Sequence, residues 1–189
     1  MHSIHFLYNF EFADLADEIR NDLNVLQFSV GMKYRFEINI FLGDIFKLSA
    51  PNSSLAHCVS SDFEMSQGIA EIFCLKFDIK NGLRGIKAQI GDIAVIQEGS
   101  RYIYNLITKR KYSGKPTYQN LLNALMQMKI HALQNDVQEI SMPKLACGRD
   151  NLNWIIVESM IKNEFSDTNI TINVYHLGKE FSADIKIKL

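Results

Sequence analysis

The fold of this chain is decided by the stretch Pro143-Lys144-Leu145-Ala146-Cys147-Gly148-Arg149-Asp150, which lies between an apolar run and a helical pattern. A second segment, Leu106-Ile107-Thr108-Lys109, ends another apolar run earlier in the chain. Ligands of open α/β sheets sit at the carboxyl ends of strands, so we expect Lys109 and Asp150 at one such edge. A lysine and a carboxylate there can act as nucleophile and acid/base. The small residues Ala146 and Gly148 let backbone N–H groups approach an anion before a helix N-terminus.

Strands and helices alternate along most of the chain, which predicts an α/β fold with a largely parallel sheet. Apolar or alternating runs predict strands near residues 34–42, 55–59, 93–96, 102–107, 139–142 and 170–174. Two of them, at 93–107, form a hairpin and make the sheet mixed. Helical spacing predicts helices from Met65 to Phe77, from Pro116 in its first turn, and from Trp154. We expect Trp154, Met126 and Met128 in the core.

The ends of the chain are predicted to lie outside this domain. Residues 11–25 have apolar side chains at helical spacing, which predicts an amphipathic helix. That helix either packs on the domain beside it or binds a partner. We therefore divide the chain into an N-terminal helical appendage (1–35), one domain (36–177) and a tail (178–189) that can form an edge strand.

Composition narrows the class of protein. The chain has 189 residues, 47% of them hydrophobic, and a formal net charge of −1. Nothing global indicates nucleic-acid or membrane binding, and the three cysteines have neither disulfide nor zinc spacing. No signal peptide or membrane span is recognisable at the sequence level. We expect a monomer inside the cell, in the nucleus or the cytoplasm, without a metal or cofactor.

Six collinear stretches between residues 37 and 177 resemble a macro domain. The closest likeness is to the terminal ADP-ribose protein glycohydrolase subfamily, also described as O-acyl-ADP-ribose deacylase. The stretches are Gly43–Phe46, Ser54–Ser60, Gly68–Ala70, Arg101–Lys109 (without Asn105), Lys115–Tyr118 and Ser141–Asp150. Other macro-domain hydrolases carry Asn-Ala-Ala-Asn where this chain reads His57-Cys58-Val59-Ser60. Chemistry based on that asparagine is not expected.

The resemblance implies a three-layer macro-domain fold and a hydrolase. Its substrates would be ADP-ribose on acidic side chains of ADP-ribosylated proteins, or O-acyl-ADP-ribose. Lys109 would attack the anomeric carbon of the distal ribose, which requires a neutral amine, and Asp150 would serve as acid/base. A non-catalytic ADP-ribose reader, or a scaffold acting through the N-terminal helix, remains open.

The resemblance also implies which residues hold the ligand. Asp44 would accept a hydrogen bond from the adenine amino group, and Ser60 would contact the distal ribose or the diphosphate. The remaining candidates would contact the ligand through two loops and the end of the last strand: Ile45, Gly68, Ile69, Lys144, Leu145, Ala146, Cys147, Gly148, Arg149 and Leu177.

Two departures from the subfamily fall in those loops. Met65-Ser66-Gln67-Gly68 stands where Met-Gly-x-Gly is expected, so Ser66 takes the place of one glycine, and Ala146 replaces a second. Because only glycine adopts positive φ at low cost, a Cβ there could narrow the diphosphate site.

Each candidate also has a plainer interpretation. Lys109 could belong to a solvated run with Arg110 and Lys111, Asp150 could be a helix N-cap, and Asp44 could be part of a Gly-Asp turn. Ser60 could cap a strand end. Adjacent strand residues face opposite ways, so we expect His57 and Cys58 to pack in the core rather than share a site. Cys147 has no histidine nearby in sequence and is not expected to be a nucleophile.

Overall fold

A computed structural model describes residues 34–87 and 89–178. These residues contain six strands and five helices. The strands are β1 (Glu37–Leu42), β2 (Ser54–Ser60), β3 (Ile93–Glu98), β4 (Arg101–Lys109), β5 (Glu139–Pro143) and β6 (Thr171–His176); the helices are α1 (Ile45–Leu48), α2 (Ile69–Phe77), α3 (Ile79–Gly82), α4 (Tyr118–Gln134) and α5 (Trp154–Phe165). The predicted N-terminal helix and C-terminal edge strand lie outside the described residues, and the three-part division stays a prediction.

The strands form a single mixed sheet in the order β1-β6-β5-β2-β4-β3. Every neighbouring pair is parallel except β3 and β4, which are joined as an antiparallel hairpin through Gly99 and Ser100. This confirms the predicted mixed, largely parallel sheet. The carboxyl ends of β1, β6, β5, β2 and β4 therefore meet at one edge, which we call the carboxyl edge.

Helices cover both faces of the sheet. Successive residues of β2 alternate between two cores: Leu55 and Val59 pack with α1, α2 and α3, whereas Ala56 packs with α4 and α5. Such alternation is what a strand buried on both faces requires. The arrangement confirms the three-layer α/β prediction.

Two helix boundaries differ from the predictions. Pro116 is not in the first turn of α4, because Thr117 is the N-cap and accepts a hydrogen bond from the backbone of Asn120. Met65 precedes α2 and adopts a left-handed conformation. No helix among residues 34–87 and 89–178 is long and apolar enough to cross a membrane.

Of the three residues expected in the core, Met128 and Trp154 are placed as predicted and Met126 is not. Met128 is fully buried on the inner face of α4, and Trp154 packs against the same core. Met126 lies half a turn away and is exposed, so its assignment to the core was wrong. Residues two positions apart on a helix point in nearly opposite directions, so Met126 and Met128 cannot both lie on the buried face of α4.

Candidate functional site

The structure brings Lys109 and Asp150 together at the carboxyl edge. Lys109 is the last residue of β4, and Asp150 lies in the loop after β5; both strands flank β2 across the sheet. The Lys109 Nζ lies 2.6 Å from Asp150 Oδ1, and each side chain is only 14% exposed. A proton can pass directly between the two groups at this distance. The solvated basic run is therefore not the environment of Lys109, although Arg110 and Lys111 are exposed.

A β-bulge shapes the strand ends beside this pair. Residues of β2 and β4 pair in regular register up to Val59 and Ile107, but Ser60 then pairs with Lys109. The backbone of Ser61 donates to the Lys109 carbonyl at 2.9 Å and fixes the end of β4. Bulges commonly re-aim a side chain beside an active site.

Asp150 does not cap the following helix. Asn153 is the N-cap of α5, and its side chain accepts a hydrogen bond from the Ile155 backbone at 2.9 Å. The alternative assignment of Asp150 as an N-cap is therefore wrong. The expected helix N-terminus directly after Gly148 is also displaced, because a turn from Gly148 to Asn151 intervenes.

The loop from Lys144 to Gly148 is more tightly built than expected. Leu145 and Ala146 are buried in the core, so their side chains are not available to a ligand. The Cys147 backbone donates to the Lys144 carbonyl at 3.3 Å. One of the N–H groups predicted to hold a phosphate, that of Cys147, is thus engaged within the loop, and the assignment of the loop to a phosphate stays a prediction.

Ala146 adopts φ +54°, the left-handed conformation that glycine favours. The backbone strain predicted for a residue with a Cβ at this position is therefore present at Ala146. Its Cβ lies in the hydrophobic core beside α4 and α5, on the protein side of the loop.

Arg149 connects the two loops that the sequence assigned to the ligand. Its guanidinium donates to the side-chain carbonyl of Gln67, and its own carbonyl accepts a hydrogen bond from Lys115 Nζ at 2.6 Å. Gly68 follows with φ 68° and ψ −150°, a conformation open essentially only to glycine. An added Cβ would come within 3.7 Å of the Arg149 side chain. Gln67, which lies between the departure at Ser66 and Gly68, thus supplies the contact between the loops.

The adenine candidates lie at the other end of the same edge. Asp44 follows β1 and caps α1 by accepting a hydrogen bond from the Phe46 backbone at 2.9 Å. Gly43 beside it has φ 150° and donates to the His176 carbonyl at 2.9 Å, which places Leu177 next to this turn. Asp44 and Leu177 are partly exposed, whereas Ile45 is buried in the core and offers a ligand only its backbone.

Ser60 and Ile69 lie at the edges of the site. The Ser60 hydroxyl donates to Asp62, which in turn accepts from the backbone of Tyr112 at 3.2 Å. These bonds hold the pKa of the Asp62 carboxyl below its usual value even though partial burial opposes them. Ser60 is therefore a structural link between strand ends as well as a neighbour of Lys109. Ile69 is the first residue of α2 and is half-buried.

The two cysteines beside the pair are poor nucleophiles. Burial, reinforced by the Asp150 carboxylate, raises the pKa of Cys58 to about 12. Burial also raises the pKa of Cys147 to about 11 against the opposing effect of Lys144. A thiol nucleophile reacts as the thiolate, so the structure supports the prediction that Cys147 does not serve as one.

His57 lies on the opposite face of β2 from Cys58. It stacks on Phe73 with ring centroids 4.1 Å apart, and its Nε2 is 2.7 Å from Asn105 Oδ1. The Asn105 amide donates to the Ala94 carbonyl, so its oxygen accepts and the histidine Nε2 carries the hydrogen. Burial lowers the pKa of His57 to about 4, so the ring is neutral near pH 7. The predicted core role fits this placement.

Three residues of the site have roles that were not predicted from the sequence. Gln67 and Lys115 contact Arg149 only through the tertiary fold, and nothing local indicates those contacts. Asn153 could have been found, because an asparagine directly before an apolar helical pattern is a typical N-cap. Among residues 34–87 and 89–178, no group of three or more His, Cys, Asp or Glu residues could hold a metal ion.

Comparison with known proteins identifies the family. No family model matches this chain. ADP-ribose glycohydrolase OARD1 from Homo sapiens is 45% identical over 135 residues, which cover 71% of this chain and 88% of that protein. OARD1 from Bos taurus is 44% identical over the same length and the same shares of the two chains.

Solved structures agree on the fold. The macrodomain of Thermus aquaticus DarG superposes with a TM-score of 0.66 at 23% identity, covering 75% of this chain and 99% of that one. Thermosipho africanus DarTG in complex with ADP-ribose superposes with a TM-score of 0.66 at 17% identity, covering 76% of this chain and 42% of that one. Together with the sequence identity to OARD1, these likenesses show that the chain belongs to the macro-domain hydrolase family that includes ADP-ribose glycohydrolase OARD1.

Proposed function

We propose that this protein is an ADP-ribose glycohydrolase that removes ADP-ribose from acidic side chains of modified proteins or deacylates O-acyl-ADP-ribose. The observation that carries the proposal is the 2.6 Å contact between Lys109 Nζ and Asp150 Oδ1 in a largely buried setting. The OARD1 proteins, 45% and 44% identical to this chain, are named as ADP-ribose glycohydrolases, which supports the glycohydrolase part of the proposal.

The pair can carry out both halves of a displacement. Asp150 takes a proton from the Lys109 ammonium, and the free amine attacks the anomeric carbon of the distal ribose. The bond from that carbon to the acyl oxygen breaks, and the leaving carboxylate departs with the bonding electrons. Water then adds to the anomeric carbon while Asp150 moves the protons, the carbon–nitrogen bond breaks, and Lys109 is released. The Lys109 ammonium and the Asp150 carboxylate are restored, the new hydroxyl keeps one hydrogen of the water, and the other leaves as a proton to solvent, which balances the carboxylate released.

The dimensions of the carboxyl edge suit an extended ligand. Four steps between neighbouring strands separate β1, which precedes Asp44, from β4, which ends at Lys109. At about 4.8 Å a step, the two residues are roughly 19 Å apart along the sheet edge. Adenine at Asp44 and the distal ribose at Lys109 would leave the diphosphate between them. The loops joined by Arg149 and Gln67 are the ones assigned to that diphosphate.

The substrate choice follows from the bond that breaks. An acidic side chain linked to ADP-ribose presents an acyl oxygen on the anomeric carbon, and a carboxylate is a good leaving group. O-acyl-ADP-ribose with its acyl group on the anomeric oxygen presents the same bond. Both substrate classes therefore converge on one attack by Lys109, and ADP-ribosylated proteins are the macromolecular partners we infer.

The test replaces the nucleophile. Lys109→Ala should abolish release of ADP-ribose from a glutamate-linked peptide yet leave affinity for free ADP-ribose within a few-fold, because a nucleophile acts on the reacting carbon. Lys111→Ala, an exposed lysine two residues further on, is the matched control and should keep the wild-type rate. Reductive trapping of the wild type during turnover should add mass at Lys109. Turnover by Lys109→Ala at the wild-type rate would refute the covalent mechanism.

A second candidate is an ADP-ribose reader that binds without turnover. It is favoured by the same short contact, because an ammonium held by a carboxylate is not a nucleophile until the proton moves. Ser66 and Ala146, each in the place of a loop glycine, support it as well. Calorimetric binding of ADP-ribose with no product released from the glutamate-linked peptide would identify the reader.

A further inference from the structure

A basic cavity lies on the far side of the molecule from Lys109 and Asp150. Its volume is about 420 Å³, within the range of pockets that hold small ligands or side chains. It is lined by Phe46, Lys47, Ser49, Pro51, Leu55, Lys76, Phe77 and Arg101. Leu55 and Arg101 are at the beginning of β2 and β4, so the cavity opens at the amino ends of these strands. We call it the basic cavity.

Its position separates it from the catalytic pair. β2 is seven residues long, and at about 3.3 Å a residue it holds the two edges of the sheet roughly 20 Å apart. None of the residues assigned to ADP-ribose lines this cavity. It is therefore a second site, and its chemistry must be explained separately.

The lining is positively charged and has no acidic member. Lys47, Lys76 and Arg101 contribute three cations. Within residues 34–87 and 89–178, none of the three forms an ion pair with a carboxylate. Because the formal net charge of the whole chain is −1, this local excess is not a consequence of composition. A concentration of one sign of charge in a cleft attracts a ligand of the other sign.

Aromatic rings hold two of these cations at the cavity. Lys76 Nζ lies 5.3 Å from the centre of the Phe46 ring, and the Arg101 guanidinium lies 5.3 Å from that of Phe77. Cation–π contacts restrict the side chains while their remaining N–H donors stay available. Because the cations already cover these rings, stacking of a nucleic-acid base is not the favoured use. Carboxylates, which match the donors of arginine and lysine, fit better.

We propose that the basic cavity binds an acidic segment of the substrate protein. This inference rests on the proposed function, because a protein modified at acidic side chains carries carboxylates near the modified residue. An extended chain covers about 3.3–3.6 Å per residue, so at least six or seven residues are needed to reach from one edge to the other over the surface of the domain. The cavity selects substrates whose acidic residues lie at least that far from the modified glutamate.

The experiment compares two peptides with the full-length protein. Both carry ADP-ribose on one glutamate; one has a cluster of glutamates starting about seven residues away, and the other has glutamines there. Each exposed charge pair alone contributes little to the free energy of binding. With three such contacts together, we expect KM for the acidic peptide to be about tenfold lower than KM for the glutamine peptide. The kcat values should be equal, since the chemistry occurs at the other edge.

Two matched variants locate the effect. Lys47→Gln, Lys76→Gln and Arg101→Gln combined should remove the difference in KM and leave turnover of O-acyl-ADP-ribose unchanged. Lys80→Gln, Arg84→Gln and Lys87→Gln combined change the net charge equally at exposed residues outside the cavity, and should preserve the difference. Equal KM values for both peptides with the wild type, or equal losses in both variants, would overturn the proposal.

Direct binding separates this inference from the proposed function. If the wild type turns over neither peptide, the proposed function fails, and a titration with the unmodified acidic peptide still tests the cavity. Binding that is weakened about tenfold in the cavity variant but not in the control supports the site. No binding, or stronger competition by a single-stranded oligonucleotide of the same charge, refutes an acidic protein segment as the occupant.

Discussion

Replacing Asp150 separates the acid/base role from a structural one. Asp150 accepts a hydrogen bond from Lys109 at 2.6 Å, and α5 is capped by Asn153 instead. Asp150→Asn keeps a hydrogen-bond acceptor of nearly the same shape but cannot carry the proton. Asp150→Ala removes both functions. The expected order of activity is wild type far above both variants, which should be about equally inactive.

The magnitudes follow from the burial of the pair. Asp150→Ala leaves the Lys109 ammonium, 14% exposed, without its partner, at a cost of about 1.5–3 kcal/mol in folding stability. Asp150→Asn should lose less, about 1 kcal/mol, because one neutral hydrogen bond remains. Loss of general acid/base catalysis lowers kcat by about 10²–10⁴. For both variants the loss of catalysis therefore exceeds what partial unfolding can explain.

The assay measures release of ADP-ribose from a glutamate-linked peptide, beside urea unfolding of each variant. Asn153→Ala is the matched control: loss of the N-cap should cost about 1 kcal/mol of stability with kcat unchanged. Asp150→Asn should also prolong any adduct on Lys109, since its hydrolysis needs the same proton transfer. Wild-type activity in Asp150→Asn would refute the acid/base assignment.

Two further outcomes are expected. Asp44→Ala should weaken ADP-ribose binding by about 1.5–3 kcal/mol in calorimetry, because a charge-assisted bond to adenine is lost, and unchanged affinity would remove that assignment. The pKa of His57 is about 4 in the folded protein and near 6.5 when unfolded, so only the unfolded state takes up a proton between these values. Stability should therefore fall by about 3 kcal/mol as pH drops from 6.5 to 4, measured by urea unfolding, and His57→Phe should flatten that dependence. An equal slope in both proteins would show that other groups cause it.

The sheet was predictable because its signals are local. Runs such as Leu55–Val59 and Tyr102–Ile107 are apolar on both faces, as parallel strands between two helical layers must be. The hairpin of β3 and β4 was marked by Gly99, which adopts positive φ in the turn. The edge carrying Lys109 and Asp150 then followed from the rule that strands in such sheets present ligands at their carboxyl ends.

Contacts between distant loops were not predictable. Arg149 contacts Gln67 because the loop before α2 lies beside the loop after β5. No local sequence pattern indicates that these two loops are close in space. Asp150 was open to the alternative interpretation as an N-cap because Asp and Asn both cap helices, and only the start of α5 shows that the cap is Asn153. Met126 was assigned to the core by composition, although its position on α4 turns it to solvent.

The two loop departures leave the contact between Lys109 and Asp150 intact. The left-handed backbone of Ala146 costs about 1–2 kcal/mol relative to glycine, while burial of its Cβ returns about 0.8 kcal/mol. A net cost of roughly 0.2–1.2 kcal/mol remains, which is small enough for the loop to tolerate the methyl group. Ser66, the other departure, is exposed and does not adopt positive φ, so its side chain causes no backbone strain there. Lys109 and Asp150 keep their 2.6 Å contact beside both changes, so neither departure disrupts the groups that would break the bond.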